Sequence, residues 1–579
     1  MTRISRQCAR LVAAAATLLA SVSGAGARAD SPLYESAEFT LTADSVVQGP
    51  FEATAHSPQR ITTNYPRAAH EVMFKFSLNG AENEFPPGQD QMIYLRPHDG
   101  RIVTPVYTFG RLLPAAIPEP EPGVSSEEGT VAVTFRLDMR EVLAQFETTG
   151  AYTPPNGTRI GAAEFDGVYI MGNTAPLTWD MGSLTPGSRW QLQDEDGDGI
   201  YTVTLPFDAV YNRPLDSAGR AVWELQRDLS RFPRYRSEQT LVDAIHNLSL
   251  EELLALLRED GGLSAGARWP EVWTRDAAWG AILAAAPLLP DEVRRSLLLK
   301  VDARGRIVQD LGTGGSWPVS TDRMAWAVAA WELYAVSGDR DWLRQSYGIV
   351  RRSAEADLKT AYDPATGLFF GESSFLDWRE QSYPRWMEPK DIYLSRTLGT
   401  NALHFATYRI LARMARSLGE PAAHYERLAD SLRRSINEQL WQEDRGYYGQ
   451  FLYGRNYPSL SPRAEGLGEA FAILFGIADE RRAARLAKSM PVVVYGVPSF
   501  WPYIPDVPPY HNAGLWPQVG GFWTWAAAEA GHTGSVEHGL ASLYRATALF
   551  LTNKENMVAA TGHFEGTELN SDRLLGSVG

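Results

Sequence analysis

Two periodicities divide this chain. Over residues 30–111, apolar and polar positions alternate in short runs: FTLTADSVV, EVMFKFSL, QMIYLRP and RIVTPVYTF. A period of two carried by β-branched and aromatic residues, interrupted at Asn79-Gly80 and Pro86-Pro87-Gly88, predicts strands joined by turns. Residues 30–116 are read as an antiparallel β-sandwich. Residues 117–129, IPEPEPGVSSEEG, are proline-rich and then polar, either a linker between two β-modules or a long surface loop within one. Strands resume in TVAVTFRLDM, GVYIMGN and RWQLQDEDGDGIYTVTLPF, which sets a second β-sandwich module at 130–212 and a connecting segment at 213–236.

From residue 237 the apolar positions recur every 3.6 residues, as in LVDAIHNLSLEELLALL, RMAWAVAAWELYAV and ALHFATYRILARMARSL. Ser337-Gly338-Asp339, Gly419-Glu420-Pro421 and Gly531 punctuate the pattern as helix ends. Segments rich in Ala, Gly and Trp alternate with segments rich in Arg, Glu and Lys. Two concentric rings would need that alternation, the inner helices apolar all round and the outer ones amphipathic. Eleven complete helical patterns follow Leu241, and a twelfth, SDRLLGSVG, has barely begun at the last residue. Six hairpins need twelve helices, so residues 237–579 are expected to form an (α/α)6 barrel with its last inner helix cut short. The fold class is therefore multidomain: an antiparallel β-region followed by an all-α barrel.

Ahead of the first strand, Arg3, Arg6 and Arg10 precede the apolar run LVAAAATLLASV, and Ala27-Arg28-Ala29 offers an A-x-A cleavage site. Residues 1–29 read as a secretory signal, since the run is too short to span a bilayer. The mature protein is expected in the periplasm or outside the cell, without membrane insertion. Cleavage takes the formal net charge from −15 to about −19. That balance argues against nucleic acid as a partner, which requires a basic face. The single cysteine, Cys8, lies inside the signal, so the mature chain has no disulfide, no thiol nucleophile and no Cys-linked lipid. The 17 tryptophans and 24 tyrosines suit stacking on sugar faces as well as core packing.

The loops that lead into the apolar helices hold the candidate chemistry, and in a closed barrel they converge at one end. WPEVWTRDAAW (269–279) supplies Trp273, Arg275 and Asp276; GTGGSWPVSTDRMAW supplies Trp317 and Asp322. GESSFLDWREQSYPRW (371–386) brings Asp377, Trp378, Arg379, Glu380 and Trp386 together, and Asp377 is an apolar-flanked acid of the kind whose pKa burial raises. PPYHNAGLWPQVGG contributes Tyr510, His511, Asn512 and Trp516, and TNKENMVAATGHFEGTELNSD contributes Glu555 and Glu565. Each residue also has a plainer use. Asp377 could cap a helix or bridge Arg379 or Arg385, Arg275 and Asp276 could pair at a helix N-terminus, and His511 and Trp516 could belong to the core. No HExxH, Walker loop, G-x-S-x-G or metal-ligand cluster stands out. Asp194, Asp196, Asp198 and Gly199 match the first half of a calcium loop, but Leu205 stands where its bidentate Glu belongs, which favours a solvated turn. No cofactor is called for.

In this order the motifs resemble a known group. WTRD at an inner helix resembles the matching segment of glucoamylases and glycogen-debranching glucosidases. FLDW followed by LGTNALHFATYRIL, with Asn401, resembles the debranching enzymes and glycoside hydrolase family 63. YHNAGLWP is similar to their YHNG-x-WP segment, and ENMVAATGHFEG before SDRLLGSV to their E-x-Y…TG segment. The resemblance implies anomer-inverting hydrolysis: Asp377 protonates the leaving oxygen and a second carboxylate activates water from the opposite face. That base would be Glu555 by its place in ENM…TG. Glu565 competes for the role, because the spacing to the last helix departs from the family and ENM lacks the family's aromatic. Arg275 and Asp276 would hold the terminal sugar's hydroxyls, and Trp516 or Trp317 its faces. GVYIMGNTAPLTWDMG with Trp190 and GDGIYTVTL resembles starch-binding-like modules, where Trp179 and Trp190 would be sugar platforms; otherwise both fill the sandwich core. The expected function is an exported glycoside hydrolase acting on an oligo- or polysaccharide of α-glucoside type. A phosphorylase on the same barrel, or a sugar-binding protein without turnover, would share most of these residues.

Overall fold

The computed structural model describes residues 32–578 apart from 66–69, 86–88, 96–99, 115–117, 119–129, 173, 175, 209–215, 219, 311–316, 319, 374–382, 455, 506, 508, 565–566 and 568–569. The chain forms two compact units. Residues 66–215 with 565–568 make one, and the rest of the chain makes the other.

The smaller unit is built around two larger sheets, with a short two-stranded pairing of Ala151–Tyr152 and Ile160–Gly161 beside them in the sequence. Gln191–Leu192, Val168–Gly172, His70–Leu78 and Gln91–Leu95 pair in that order, antiparallel throughout. Ile200–Asp208, Thr130–Asp138 and Arg101–Thr108 form the second sheet, in which the last two strands run parallel. Both sheets turn alternate residues into one core, among them Val72, Phe74, Phe76, Val133, Phe135 and Ile170. This corrects the expected boundaries. Strands from either side of 117–129 share both sheets, so 30–116 and 130–212 are not two modules. A parallel pair needs a crossover connection, and 117–129 falls within the one between Arg101–Thr108 and Thr130–Asp138. Trp190 is half-buried against this core and donates its indole N–H to the Pro176 carbonyl at 2.7 Å. Trp179 stays 40% exposed. In the acidic turn, the Asp194 carboxylate accepts from the backbone N–H groups of Gly197, Asp198 and Gly199.

The first strands belong to the larger unit instead. Tyr34–Glu35, Phe39–Leu41, Ser45–Gln48, Phe51–Ser57 and Arg60–Thr63 form an antiparallel meander that Ala221–Glu224 completes at the edge. The sheet packs on two of the helices that follow, and the buried Trp223 donates to Glu251 on one of them at 2.8 Å.

Those helices come in pairs. Helix α1 (Arg140–Thr149) lies in the smaller unit. The outer helices of the larger unit are α2 (Thr240–Ala255), α4 (Pro290–Leu299), α6 (Arg340–Thr360), α8 (Ala423–Gln439), α10 (Glu480–Ser489) and α12 (Thr533–Phe550). The inner ones are α3 (Thr274–Gly280, extended by a π-turn at Ala281–Ala285 and by Ala286–Leu288), α5 (Ala325–Ser337), α7 (Leu398–Leu418), α9 (Gly466–Leu474), α11 (Pro517–Glu529) and α13 (Leu575–Val578). Each inner helix packs on the next, and α13 packs on both α11 and α3, which closes the ring. The alternation in composition has this cause: inner helices are covered on all sides, whereas α10 buries only Leu486 and Ala487. Local signals end the helices as expected. Asp339 caps α6 through the N–H groups of Asp341 and Trp342, and Gly338 and Gly419 take the left-handed conformation that closes a helix. Helix α13 holds the twelfth position with four residues. Gly280 lets it come close, since a Cβ there would lie 2.6 Å from Leu575.

Candidate active site

Short β-pairings knit the loops at the inner-helix starts. Arg396–Thr397, just before α7, pairs with Phe451–Tyr453 from the loop before α9. Ala464–Glu465 pairs with Phe500–Trp501, and Gly514–Leu515 with Met557–Val558, each time linking one inner-helix start to the loop that precedes the next. The loops that carry the candidate residues are thereby joined at one end of the helical ring.

Glu555 is a firmly anchored carboxylate there. It is 2% exposed, accepts from the Trp269 indole N–H at 3.0 Å through Oε2 and from the Tyr510 hydroxyl at 3.1 Å through Oε1, and its own N–H donates to Ser571 O. Its loop is held from several sides. Glu252 on α2 accepts from the Thr552 hydroxyl and from the N–H and side chain of Asn553. Lys554 pairs with Asp572 at 2.6 Å, and the Asn570 amide donates to Asn556. From the N-terminal sheet, Tyr65 Oη lies 2.8 Å from His563 Nδ1 and Gln48 donates to Thr561 O.

Trp269 also lines a cleft of about 820 Å³ with Trp273, Gln309, Asp310 and Trp317. The Trp269 and Trp273 rings lie 5.3 Å apart. Below them, α3 opens on buried polar residues. Asp310 accepts from Thr274 N and pairs with Lys300; Arg275 Nε lies 3.5 Å from Asp322 Oδ2, and Gln309 donates to Asp322 Oδ1 at 2.7 Å. Arg275, Asp276 and Asp322 are all buried. Trp317 is half-buried and donates to Asp357 Oδ1 at 2.8 Å, which fixes its indole edge. Tyr510, His511 and Trp516 form one buried aromatic cluster with ring centroids 4.5–5.3 Å apart. Trp386 stands away from these, 59% exposed over a second cleft.

Two expected sugar contacts are corrected. Both amide protons of Asn401 go to backbone carbonyls, of Phe369 and Thr397, and its oxygen accepts from Phe369 N. Asn512 uses its amide in the same way on Ile504 and Val507. A buried amide satisfied by backbone on every side is scaffold: Asn401 pins the strand Leu368–Phe369, and Asn512 shapes the loop before α11. Asp377, Trp378, Arg379, Glu380 and Glu565 lie outside the described residues.

Other buried polar groups at this end had no local sequence signal. Asp357 on α6 accepts from Trp317, from Arg323 at 2.6 Å and faces His404 Nε2 at 3.2 Å. Burial pushes its carboxyl up, but Arg323 and His404 outweigh it and hold the acid below its usual range. Tyr383 is buried, and its hydroxyl accepts from Ser373 N. Burial, then the nearby Glu372, raise its pKa well above the usual value, with Glu465 and Asp322 adding to the effect and Ser373 N opposing it. Carboxylates from three loops thus act on one buried hydroxyl. Trp269 alone had a visible hint, as the first ring of WPEVW.

Six helix pairs closed into a ring, with carboxylates and indoles at the inner-helix starts, are the architecture of an (α/α)6 toroid. Residues 313–493 match the family model for the bacterial α-L-rhamnosidase six-hairpin glycosidase domain. No curated protein matches the chain. Among solved structures, the family 63 mannosylglycerate hydrolase of Thermus thermophilus, in complex with glucose, is 16% identical over 58% of this chain and 98% of its own, with a TM-score of 0.47. A Klebsiella oxytoca rhamnosidase with rhamnose bound is 14% identical over 92% of this chain and 86% of its own, with a TM-score of 0.46. A family 78 rhamnosidase of Bacillus sp. GL1 is 16% identical over 66% of this chain and 38% of its own, at 0.45.

Proposed function

We propose that this is an exported glycoside hydrolase that cleaves an oligo- or polysaccharide with inversion. Asp377 is the acid that protonates the leaving oxygen, and Glu555 is the base that takes a proton from the attacking water. The observation that carries the reading is Glu555 itself. It is a buried carboxylate with donors on both oxygens, one of them from an indole that walls a cleft of sugar size. A base must be held in one orientation, and a donor on each carboxylate oxygen does that. Glu555 is preferred to Glu565 as the base by its place in the ENM…TG segment. Arg275, Asp276 and Asp322 are the buried charges at the inner-helix starts assigned to sugar hydroxyls, and Trp273 and Trp317, which line the cleft, supply ring faces.

The motif resemblance points to an α-glucoside, and the description of the matched family model adds α-L-rhamnosides as the second class to assay. NMR of a saccharide panel containing both, followed from the first minutes, reads the sugar released and its anomer. Release of the inverted anomer is expected; retention would remove the two-carboxylate water mechanism. Asp377→Asn and Glu555→Gln should each fold normally and lower kcat by about 100- to 10 000-fold. Full turnover in either variant removes that residue from its role.

A further inference from the structure

A second cleft, of about 620 Å³, opens between the segment 384–386, the strand Phe451–Tyr453, residues 459–463 and Ile504-Pro505. Its wall holds the most exposed tryptophan among the described residues. Trp386 is 59% exposed, and its ring lies 5.6 Å from that of Tyr453 at 31°. Tyr453 is itself buried and donates its hydroxyl to the buried Asp391, so the exposed indole rests on a braced ring. An indole kept flat and wet on a rigid support is a stacking surface rather than a packing element.

The opposite feature of the cleft is a cation. Arg463 lines it and donates Nε to the Pro502 carbonyl at 3.0 Å, which fixes the guanidinium plane. No carboxylate among the described residues pairs with it. Burial draws its pKa down, and no acid offsets that effect. In a chain with 69 acidic and 54 basic residues, an arginine half-buried without an acid is suited to an anion from outside. A guanidinium tethered through Nε still presents its two terminal nitrogens, the fork that matches a carboxylate. Arg385 lines the same cleft.

We infer that this cleft binds a uronic acid unit of the substrate, its ring face on Trp386 and its carboxylate on Arg463. This rests on the reading of the chain as a carbohydrate-cleaving enzyme, and it gives that enzyme an acidic saccharide as its substrate class. A neutral sugar would use the indole but leave the desolvated arginine unmatched.

The test is calorimetric titration of the full chain carrying Asp377→Asn, so that binding is read without turnover. Three probes are compared: an oligouronide, the same oligosaccharide after carboxyl reduction, and a 6-sulfated gluco-oligosaccharide. The oligouronide should bind about tenfold more tightly than its reduced form, and added salt should narrow the gap. Arg463→Gln should abolish the gap while leaving the reduced form unchanged, and Arg463→Lys should keep only part of it. Trp386→Ala, on an exposed surface, should weaken both forms alike. Equal binding of the two forms by the Asp377→Asn chain overturns the inference, as does an undiminished gap in Arg463→Gln. Tighter binding of the sulfated probe overturns the carboxylate assignment. Failure of the hydrolase reading would show separately, as no turnover of any saccharide by the unaltered chain.

Discussion

Asp357 and Glu469 are both wholly buried carboxyls in the helical ring, yet they hold protons oppositely. Asp357, on the outer helix α6, meets an arginine, a histidine and an indole, and stays ionised below the usual range. Glu469, on the inner helix α9, makes no hydrogen bond of good geometry. Burial drives its pKa well up, the Tyr448 amide only tempers this, and Glu465 one turn earlier adds repulsion. Depth alone therefore does not decide the charge state; the donors that reach the group do. One acid is a tie-point between three elements beneath Trp317, while the other is a neutral filler.

Breaking the tie-point should have the largest effect. Asp357→Ala strands Arg323 in a dry site and should cost about 3–5 kcal/mol in chemical denaturation. A cost near zero would mean that Arg323 and His404 need no anion. Next in size is the response of Glu469. Its folded pKa lies above its unfolded one, so the folded state holds the extra proton. The contribution of Glu469 is full below the unfolded pKa and is lost as pH rises towards the folded one, at about 1.4 kcal/mol per pH unit. Asp357 has the reverse sign: its folded pKa is depressed, and its contribution is lost as pH falls through the acid range. Glu469→Met should flatten the fall in stability as pH rises above the unfolded carboxyl pKa, and raise stability by about 1–3 kcal/mol at neutral pH. An unchanged slope would show that Glu469 is not the group responsible. The smallest change is Trp317→Phe, which removes one of the donors to Asp357 and should cost about 1.5 kcal/mol. A cost equal to that of Asp357→Ala would mean the indole, rather than Arg323, carries the contact.

The same contrast explains which parts are legible in the sequence. Helix periodicity and composition are local, so the paired helices, their caps and the inner–outer alternation can be read directly. Strand pairing is not local. Nothing in RITT announces that it will pair with AVWE from beyond the smaller unit, and so the alternating pattern alone gives residues 34–65 to the wrong neighbour. At the site, the rings and charges at the helix starts are visible as residue types. What their polar atoms will meet is not. Asn401 and Asn512 look like sugar contacts because LGTNALHF and YHNAGLWP resemble segments of sugar-cleaving enzymes, but backbone carbonyls claim their amides first. Asp357 and His404 lie within helices, and their partners lie on other elements, so only the folded chain brings them together.

The N-terminal meander also bears on how the gene can be dissected. Gln48 accepts from the buried Arg545 and donates to Thr561, and Tyr65 reaches His563. These contacts brace the same loop that presents Glu555. A clone trimmed to start at residue 237, where helical periodicity begins, would keep every inner helix yet leave the Glu555 loop without its outer strut.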